Sequence, residues 1–386
     1  MKNYHLFDER REGLVRFLVP RKDNKPQNVP LCPKKTDLVF FNPLAQFSRD
    51  FSILFLQALA ERLGRELSVC DLLTGTGVRS IRYLREVPVS SALLNDKNPF
   101  AAQLARKNLA INHSSEKGTV VNEDAFSLIQ AKIGKEWFDF VDIDPFGSPQ
   151  RYYFAGLLVN REGAIALSAT DIPTLIGIYP ETALRRYGIT HSFRSEFEKE
   201  TAIRALIASF QLRMLSFNRI FVPSLSICLN HYIRVFFCRS RNKMEIKKKI
   251  GFIGYCAICD ERWTFPVGSN YQECVAEHAH PIQLGGPLWL GPLHSSQTVG
   301  KLSNLLTALP WKTSQHEKLL AIIMGEANDF PPWFFDTHKQ AQRRKGSPGP
   351  IGRVISRLHD KGYSAERTHL SLTGIKTTAT GPEIEL

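Results

Sequence analysis

One short segment of the sequence combines an acid, a proline and an aromatic ring: Asp144, Pro145 and Phe146. The lone pair of an exocyclic amine on a nucleobase is delocalised, so a carboxylate that takes its proton makes the nitrogen a better nucleophile. A ring that stacks on the base contributes roughly 1–3 kcal/mol, enough to offset much of the cost of extruding it. An isolated Asp-Pro-Phe-Gly is also typical of a plain turn, but its position after an apolar strand favours methylation of a base amine.

Three further groups of residues could hold an adenosine-containing cofactor. A glycine-bearing turn begins at Asp71, and Gly75 in it lets the backbone approach a ligand closely. Asp96 follows at the distance typical of an acid that accepts hydrogen bonds from a ribose diol. Asp124, followed by Ala125, could receive an adenine amino group. NAD and S-adenosylmethionine both fit this series, and the segment at Asp144 favours S-adenosylmethionine. The alternative to a cofactor site is that these are unrelated acids on the protein surface.

The elements around these residues alternate between short apolar strands and helices. The alternation is typical of a mostly parallel, doubly wound sheet, which binds its ligands at the carboxyl ends of its strands. The first residues, 1–36, are expected to be irregular. The predicted strands are 67–73, 92–94, 119–122, 138–143 and 163–168, and the predicted helices are 50–64, 78–86, 99–112 and 125–133.

Composition excludes several classes of protein. The 386 residues are 43% hydrophobic, which is typical of a globular chain with two or three domains. No apolar run is long enough for a membrane span, and charges interrupt residues 1–22, which excludes a secretory signal. The seven cysteines are sparse and predict a reducing, cytoplasmic setting. A net charge of +13 favours a polyanionic partner such as nucleic acid.

Motifs spread over roughly residues 10–380 fall into one pattern. They include Val39-Phe40-Phe41-Asn42-Pro43, Ser48-Arg49-Asp50, Thr74-Gly75-Thr76-Gly77-Val78-Arg79, Asn95-Asp96, Asp124-Ala125, Asp144-Pro145-Phe146-Gly147-Ser148-Pro149 and Gly374-Ile375-Lys376-Thr377. Together they closely resemble the tRNA (guanine-26-N2) dimethyltransferase family. The resemblance implies S-adenosylmethionine as methyl donor, tRNA as substrate, and N2-methylguanosine and N2,N2-dimethylguanosine as products.

The resemblance also implies roles for individual residues. Asp144 is the implied catalytic acid, and Phe146 and Phe40 are implied to flank the target guanine. The residues expected to contact the cofactor are Arg49, Arg79, Asp96, Asp124 and Ala125, together with Asp71 and Gly75 of the turn.

A cysteine cluster further along is a candidate zinc site. Cys256 and Cys259 have the spacing that holds one side of a tetrahedral zinc ion, and Cys274 could supply a third thiolate. His278 is the candidate fourth ligand, with His280 as its alternative. A reduced, inert cysteine pair with histidines on a loop remains the other interpretation.

The C-terminal part of the chain is rich in basic residues. A basic stretch over 239–249 marks a candidate boundary, and predicts a methyltransferase domain over 1–240 and a tRNA-binding domain over 241–386. The expected fold class is α/β: a doubly wound, Rossmann-like methyltransferase domain plus a smaller α+β C-terminal domain. Residues 330–380 suit a small winged-helix-like or mixed module. The residues expected to face RNA are Lys339, Arg343, Arg344, Lys345, Arg353, Arg357, Lys361 and Arg367, with the aromatic residues Trp333, Phe334, Phe335 and Tyr363 between them.

The sequence therefore predicts an enzyme that methylates the exocyclic N2 of guanine 26 in tRNA once or twice. Two alternatives stay open: an amine methyltransferase acting on another RNA or DNA base, and a non-catalytic RNA-binding protein that retains a cofactor fold. We expect no membrane association and no obligate protein partner. The sequence leaves the ratio of the products, modification of guanine 27 and the oligomeric state open.

Overall fold

The computed structural model describes residues 7–21, 38–191, 193–229, 232–242, 246, 248–268 and 282–385. The chain divides into two compact units. The first comprises residues 1–167 and 304–312, and the second comprises residues 168–303 and 313–386. The predicted domains, 1–240 and 241–386, are divided at the basic stretch over 239–249 instead and stay a prediction.

The described part of the first unit begins with a β-hairpin, formed by β1 (Phe7–Glu12) and β2 (Val15–Pro20). The expectation of irregular structure is therefore wrong for residues 7–20. The cause is tertiary, because β2 buries its apolar residues and pairs with a side chain 90 residues away in sequence. The Asn108 amide donates to the Leu18 carbonyl (3.0 Å), and its oxygen accepts from the Leu18 N–H (2.8 Å).

Helices and strands alternate through the rest of the first unit. The predicted helix over 78–86 and the predicted strand over 138–143 have the observed bounds. Asn98 caps one helix by accepting from the Phe100 N–H (3.0 Å), and proline follows it at the first helical position. The elements are α1 (Gln46–Leu63), β3 (Leu67–Asp71), α2 (Val78–Glu86), β4 (Val89–Asn95), α3 (Pro99–Ile111), β5 (Gly118–Val121), α4 (Ala125–Lys132), β6 (Phe138–Ile143) and β7 (Val159–Ala169).

Five parallel strands of this unit lie in the order β5-β4-β3-β6-β7. Cys70 of β3 lies opposite Leu93 of β4 and Val141 of β6. The chain moves outward from β3 to β5 and then returns to β6 on the other side of β3, so the strand order reverses between β3 and β6. Such a reversal opens a crevice at the carboxyl ends of the strands. The predicted Rossmann-like α/β arrangement is confirmed.

The second unit is mixed. Strands β9 and β10 form an antiparallel hairpin, and a second sheet has the order β12-β11-β13-β8.

The described helices include none with the length and hydropathy that a bilayer span requires. The elements are α5 (Ile172–Leu175), α6 (Pro180–Tyr187), β8 (Thr190–His191), α7 (Glu198–Leu215), β9 (Ile220–Leu229), β10 (Tyr232–Ser240), β11 (Ile250–Tyr255), β12 (Arg262–Pro266), β13 (Gln283–Trp289), α8 (Ser296–Leu306, whose last turn lies in the first unit), α9 (Ser314–Glu326), β14 (Phe335–Asp336), α10 (Thr337–Arg343), α11 (Ile351–Asp360), β15 (Ala365–Arg367) and β16 (Gly374–Thr377).

The elements from α9 to β16 form a module with the order helix, strand, helix, helix, strand, strand. Its short strands make an antiparallel sheet in the order β14-β16-β15. Phe335, Val354, Leu358 and Ile375 are buried in its core. This element order and strand order agree with the winged-helix-like form of the predicted module, and we call residues 314–385 the winged-helix module below.

Candidate active site

Asp144 follows the last residue of β6, at the carboxyl edge of the sheet. The strand itself is buried over its whole length, whereas the Asp144 side chain keeps 34% of its surface exposed. Its Oδ2 accepts a hydrogen bond from Nη2 of Arg79, and Oδ1 makes no hydrogen bond with any described residue. Gly147 adopts a φ of +77°, which permits the tight turn after Phe146. One carboxylate oxygen is thus held and the other is free to accept from a ligand.

Arg79 is a buried cation in the first turn of α2. It donates from Nη1 to Ser52 Oγ (3.0 Å), and its Nε lies 3.8 Å from Asp142 Oδ2. Burial lowers the pKa of Arg79, but attraction to Asp144 and Asp142 outweighs it and raises the pKa well above its usual value. The guanidinium therefore stays charged and fixes the direction of the Asp144 carboxylate.

Phe40 and Phe146 form an exposed aromatic pair. Their ring centroids are 4.2 Å apart, the planes cross at 71°, and the residues are 37% and 49% exposed. A base stacked between two rings needs about 7 Å, twice the stacking rise of nucleic acid. The rings occupy each other's stacking space here, so a base can enter only if they separate.

The chain segment that carries Phe40 lies over the glycine turn. A Cβ on Gly75 would come within 3.0 Å of the Phe40 carbonyl oxygen, and Gly75 has a φ of +55°. The segment is fastened by the Asn98 side chain, which donates to the Leu38 carbonyl (2.7 Å). The turn therefore needs glycine both for its backbone conformation and for this close approach.

The two acids expected to contact the cofactor lie at the ends of neighbouring strands. Asp96, after β4, accepts from the N–H groups of Gly75 and Asn98 (2.9 Å each). Burial raises the pKa of Asp96, although these two donors act in the opposite direction. Asp124 caps α4, accepting from the N–H groups of Phe126 (3.0 Å) and Ser127 (3.2 Å), and buried Ala125 is the first residue of that helix.

Asn95 holds these strand ends together, a role that the sequence analysis did not assign to it although it named the motif Asn95-Asp96. Its side-chain nitrogen donates to the carbonyls of Leu72 and Glu123 (3.1 Å each), and its oxygen accepts from the Glu123 N–H (3.1 Å). One buried amide thereby fixes the positions of β3, β4 and β5 relative to one another. A buried asparagine directly before Asp96 is the signal that could have found it.

Two buried acids lie beneath the site. Asp71 accepts from the Ser80 hydroxyl (2.6 Å), and Asp142 accepts from the Tyr83 hydroxyl (2.5 Å). Burial, followed by repulsion from Asp142, raises the pKa of Asp71 to about 6. Asp71 is thus a weaker acid than an exposed aspartate, and it supports the turn that begins after it.

Arg49 lies in a buried network that also includes the N-terminal hairpin. It donates to both carboxylate oxygens of Glu12 (2.7 and 2.6 Å) and to the Asn42 carbonyl (3.1 Å). Arg82 donates to Glu12 (2.9 Å) and to Asp50 (2.5 Å). Burial raises the pKa of Glu12, but the two arginines outweigh it and the net shift is downward. Sequence reasoning found Arg49 and missed Glu12, because the pairing depends on the hairpin.

Only part of the candidate zinc cluster is described. Buried Cys256 and half-buried Cys259 lie at the turn between β11 and β12, whereas Cys274 and His278 lie outside the described residues. The turn is tight, because the Asp260 N–H donates to the Cys256 carbonyl (2.9 Å) and Asp260 has a φ of +62°.

A second group of possible ligands, His294, Glu326 and His369, lies buried in the second unit. The far ring nitrogens of the two histidines accept from backbone N–H groups of Ser226 (3.4 Å) and Cys228 (3.3 Å). Each neutral ring therefore carries its proton on the nitrogen that faces Glu326. The pKa of Glu326 is well below its usual range, because both histidines outweigh the effect of burial. Glu326 therefore hydrogen-bonds to His369, whereas Nε2 of His294 lies 3.3 Å from the same carboxylate oxygen without a hydrogen bond to the described residues.

The basic residues of the winged-helix module differ in their accessibility. Arg343 pairs with Asp260 and Glu196, and Arg344 donates to the carbonyls of Gly381 and Ile384. Lys339, Lys345, Arg353, Arg357 and Arg367 are exposed. The expectation that aromatic residues lie between the basic ones as a stacking surface is wrong, because Phe334 and Phe335 are buried and Trp333 and Tyr363 pack against the core.

Comparisons with known proteins agree with this geometry. A family model described as N2,N2-dimethylguanosine tRNA methyltransferase matches residues 13–385. A tRNA (guanine(26)-N(2))-dimethyltransferase from Methanosphaera stadtmanae is 32% identical over 95% of this chain and 92% of its own. The enzyme of the same name from Methanothermobacter thermautotrophicus is 33% identical over 97% and 96%. Among solved structures, Trm1 from Pyrococcus horikoshii in complex with S-adenosyl-L-methionine has a TM-score of 0.83 and 28% identity, and covers 97% of this chain and 98% of that one.

Proposed function

The chain belongs to the N2,N2-dimethylguanosine tRNA methyltransferase family, and we infer that it transfers one or two methyl groups from S-adenosylmethionine to the exocyclic N2 of guanine 26 in tRNA. The observation that carries this proposal is the position of Asp144 at the carboxyl edge of the sheet. One of its oxygens is held by Arg79 and the other is free, and Phe146, two residues further along the chain, brings its exposed ring into contact with that of Phe40.

Asp144 acts on the proton of the amine. Its Oδ1 accepts the guanine N2–H, and removal of this proton while the carbon–nitrogen bond forms keeps the nitrogen lone pair available for attack. The partly exposed carboxylate then releases the proton to water. Because the guanine N2 carries two hydrogens, the same carboxylate serves both rounds of methylation.

Phe40 and Phe146 bind the base. We propose that the rings separate and that the target guanine stacks between them. The exposure of both rings and their contact with each other support this role. Stacking on two faces offsets the cost of extruding the base from the tRNA.

The crevice at the strand ends fits S-adenosylmethionine. The Gly75 turn leaves no room for a Cβ beneath Phe40, and the partly exposed carboxylates of Asp96 and Asp124 lie at the ends of adjacent strands. When bound, S-adenosylmethionine supplies an electrophilic methyl group. The residues proposed to hold it are Arg49, Arg79, Asp71, Gly75, Asp96, Asp124 and Ala125.

The winged-helix module is the proposed tRNA-binding element of the C-terminal part, 241–386. In α11, Val354 and Leu358 face the core, while Arg353 and Arg357 share an exposed face at a spacing of one helical turn. Exposed arginines on one helix face suit the phosphates of an RNA backbone.

Cys256, Cys259, Cys274 and His278 are the proposed zinc ligands. The tight turn that carries Cys256 and Cys259 supports this assignment. The metal content of the purified chain tests it: we expect one zinc per chain, lost when Cys256 and Cys259 are both replaced by serine. A wild-type protein that folds without zinc would overturn it.

A cytoplasmic location likewise stays a prediction.

Mass spectrometry of the product tests the proposed function. Unmodified tRNA is incubated with the protein and S-adenosylmethionine, digested, and the methylated nucleotide is mapped. We expect N2-methylguanosine and N2,N2-dimethylguanosine at position 26. A product confined to another base or position would identify a different amine methyltransferase, and no product despite binding of tRNA would identify a non-catalytic RNA-binding protein.

A further inference from the structure

A cleft on the first unit lies away from the candidate active site. The turn of the N-terminal hairpin, the last turn of α2 and the end of α3 surround a cavity of about 290 Å³. Arg11, Arg16, Arg85 and His113 contribute the charged or titratable side chains that line it, and no acid does so. The remaining lining residues are Gly13, Leu14, Val15, Ile111 and Asn112.

The arginines of the cleft are available to a ligand. Arg11, Arg16 and Arg85 are exposed, and none of them forms an ion pair with a residue that the structure describes. The acids next to Arg11 and Arg85 in sequence, Glu12 and Glu86, are bound by other arginines. Glu12 turns inward to Arg49 (2.6 Å), and Glu86 accepts from Arg82 (2.7 Å) and from the Trp311 indole (2.8 Å).

The partial negative charges at the C-terminal ends of α2 and α3 are too small to balance the positive charge of these side chains. Helix C-termini carry about −0.5 charge each, so two of them attract roughly one cation. Three guanidinium groups and a histidine surround the cleft, which leaves a surplus of positive charge. Such a surplus attracts an anion.

The turn that presents the arginines is held in place. The Arg16 N–H donates to the Asn112 side chain (3.2 Å), and the Asn112 amide donates to the Arg16 carbonyl (2.7 Å). Gly13 has a φ of +56° and packs on Glu86 so closely that a Cβ would collide with its carboxylate. The Leu14 N–H donates to the same carboxylate (3.2 Å). A fixed set of guanidinium groups binds phosphate with a smaller loss of entropy than flexible side chains.

We propose that this cleft binds phosphates of the tRNA backbone, as a contact made by the methyltransferase unit in addition to that of the winged-helix module. The proposal rests on the proposed function, since it takes tRNA as the substrate. Guanidinium groups pair with two phosphate oxygens at once, and the apolar side chains of Leu14 and Ile111 offer a surface to the adjoining ribose. Arg85 lies six residues beyond Arg79 on α2, about 9 Å along the helix, so the contact is distinct from the reacting atoms.

The test compares two full-length variants of equal charge. The cleft variant carries Arg11→Gln, Arg16→Gln and Arg85→Gln, and the control variant replaces three exposed arginines elsewhere on the first unit, Arg62, Arg106 and Arg161, with glutamine. Affinity for tRNA is measured over a range of salt concentrations, together with kcat, KM for tRNA and affinity for S-adenosylmethionine. A thermal denaturation curve checks that each variant is folded.

We expect the cleft variant to raise the Kd and KM for tRNA at least tenfold and to reduce the slope of log K against log salt by about 2–3, because each lost phosphate contact removes about 0.7–0.9. The kcat and the affinity for S-adenosylmethionine should stay at the wild-type level, and an Arg→Lys version of the three changes should keep most of the slope. Equal slopes for the cleft and control variants would overturn the proposal. That result would leave the proposed function intact, because the wild-type product is mapped independently.

Discussion

Asp144 and Arg79 must be considered together, because the cation fixes where the carboxylate points. Arg79 is buried, charged and bonded to Ser52 as well as to Asp144. Arg79 binds only one of the two carboxylate oxygens. Its contribution to the reaction is therefore orientation: it leaves the other oxygen, Oδ1, directed at the position where an amine is to be bound.

Replacing Asp144 tests this division of roles. Asp144→Asn keeps an oxygen for Arg79 and removes the proton acceptor, so we expect kcat to fall by about 10²–10⁴-fold. Calorimetry should show wild-type affinity for S-adenosylmethionine, because Asp144 is not among the cofactor contacts. Turnover close to that of the wild type would rule out Asp144 as the base.

Asp71 gives a prediction about pH. Its folded-state pKa, about 6, is above the usual value of 3.8, so the folded state binds more protons than the unfolded state between these values. The contribution of Asp71 to stability is thus complete below about pH 4 and is lost as the pH rises through 6. Asp71→Asn should gain stability relative to the wild type between pH 4 and pH 7, by an amount on the order of 2–3 kcal/mol. Urea denaturation at both pH values measures it, and a pH-independent difference would contradict the raised pKa.

Among the elements, the N-terminal hairpin acts through its buried ion pairs with the neighbouring helices. Glu12 lies between Arg49 and Arg82, and thereby links β1 to α1 and α2. Arg49 in turn donates to Asn42, two residues after Phe40. The hairpin therefore helps to position the segment that carries a ring of the aromatic pair.

Removal of Glu12 should destabilise the first unit. Glu12→Ala leaves two buried guanidinium groups without this partner, and breaking a buried pair in this way costs about 3–5 kcal/mol. Glu9→Ala, on the exposed part of the same strand, is the matched control and should change stability by less than about 0.5 kcal/mol. Chemical denaturation of both variants measures the difference, and equal stabilities would show that the network is not required.

Helix α11 carries a prediction about RNA. Arg353→Gln combined with Arg357→Gln removes two exposed charges from the helix, next to the buried Val354 and Leu358. KM for tRNA should rise several-fold while kcat changes little, because these residues are proposed to bind phosphate rather than the reacting base. Arg62 and Arg161, two exposed arginines of the first unit, provide a control pair of equal charge. If substitution of the control pair raises KM for tRNA as much as substitution of the α11 pair does, α11 has no specific role in binding.

For the whole molecule, the net charge describes the electric field outside the protein better than the number of basic residues does. Buried arginines such as Arg49, Arg82 and Arg204 are paired with acids, so they add nothing to the external field. The surplus of +13 therefore belongs to the remaining residues and favours a polyanion.

Salt should act on tRNA binding and much less on cofactor binding. Between about 50 and about 200 mM salt, we expect KM for tRNA to rise by tenfold or more, because phosphate contacts release counterions. The affinity for S-adenosylmethionine should change by less than about threefold, since the ligand carries few charges. A KM for tRNA that is independent of salt would contradict recognition through the backbone.

The sequence by itself determined the alternation of strands and helices, the carboxyl-edge position of Asp144 and the series Gly75, Asp96 and Asp124. It did so because local periodicity and the parallel topology place successive strand ends on one edge. The winged-helix module was also predictable, since its helices and strands follow one another closely in sequence.

The tertiary structure alone decided the partners of these residues. Three features depend on contacts between segments 23 to 90 residues apart, and such pairings leave no local pattern: the hairpin at residues 7–20, the Glu12–Arg49 pair and the bridging amide of Asn95. It also decided which charges face water: Arg343 is held by Asp260, whereas Arg11, Arg16 and Arg85 surround an open cleft. Residue type fixes the charge that a side chain carries, but only packing decides whether that charge is neutralised inside the protein or remains available to a ligand.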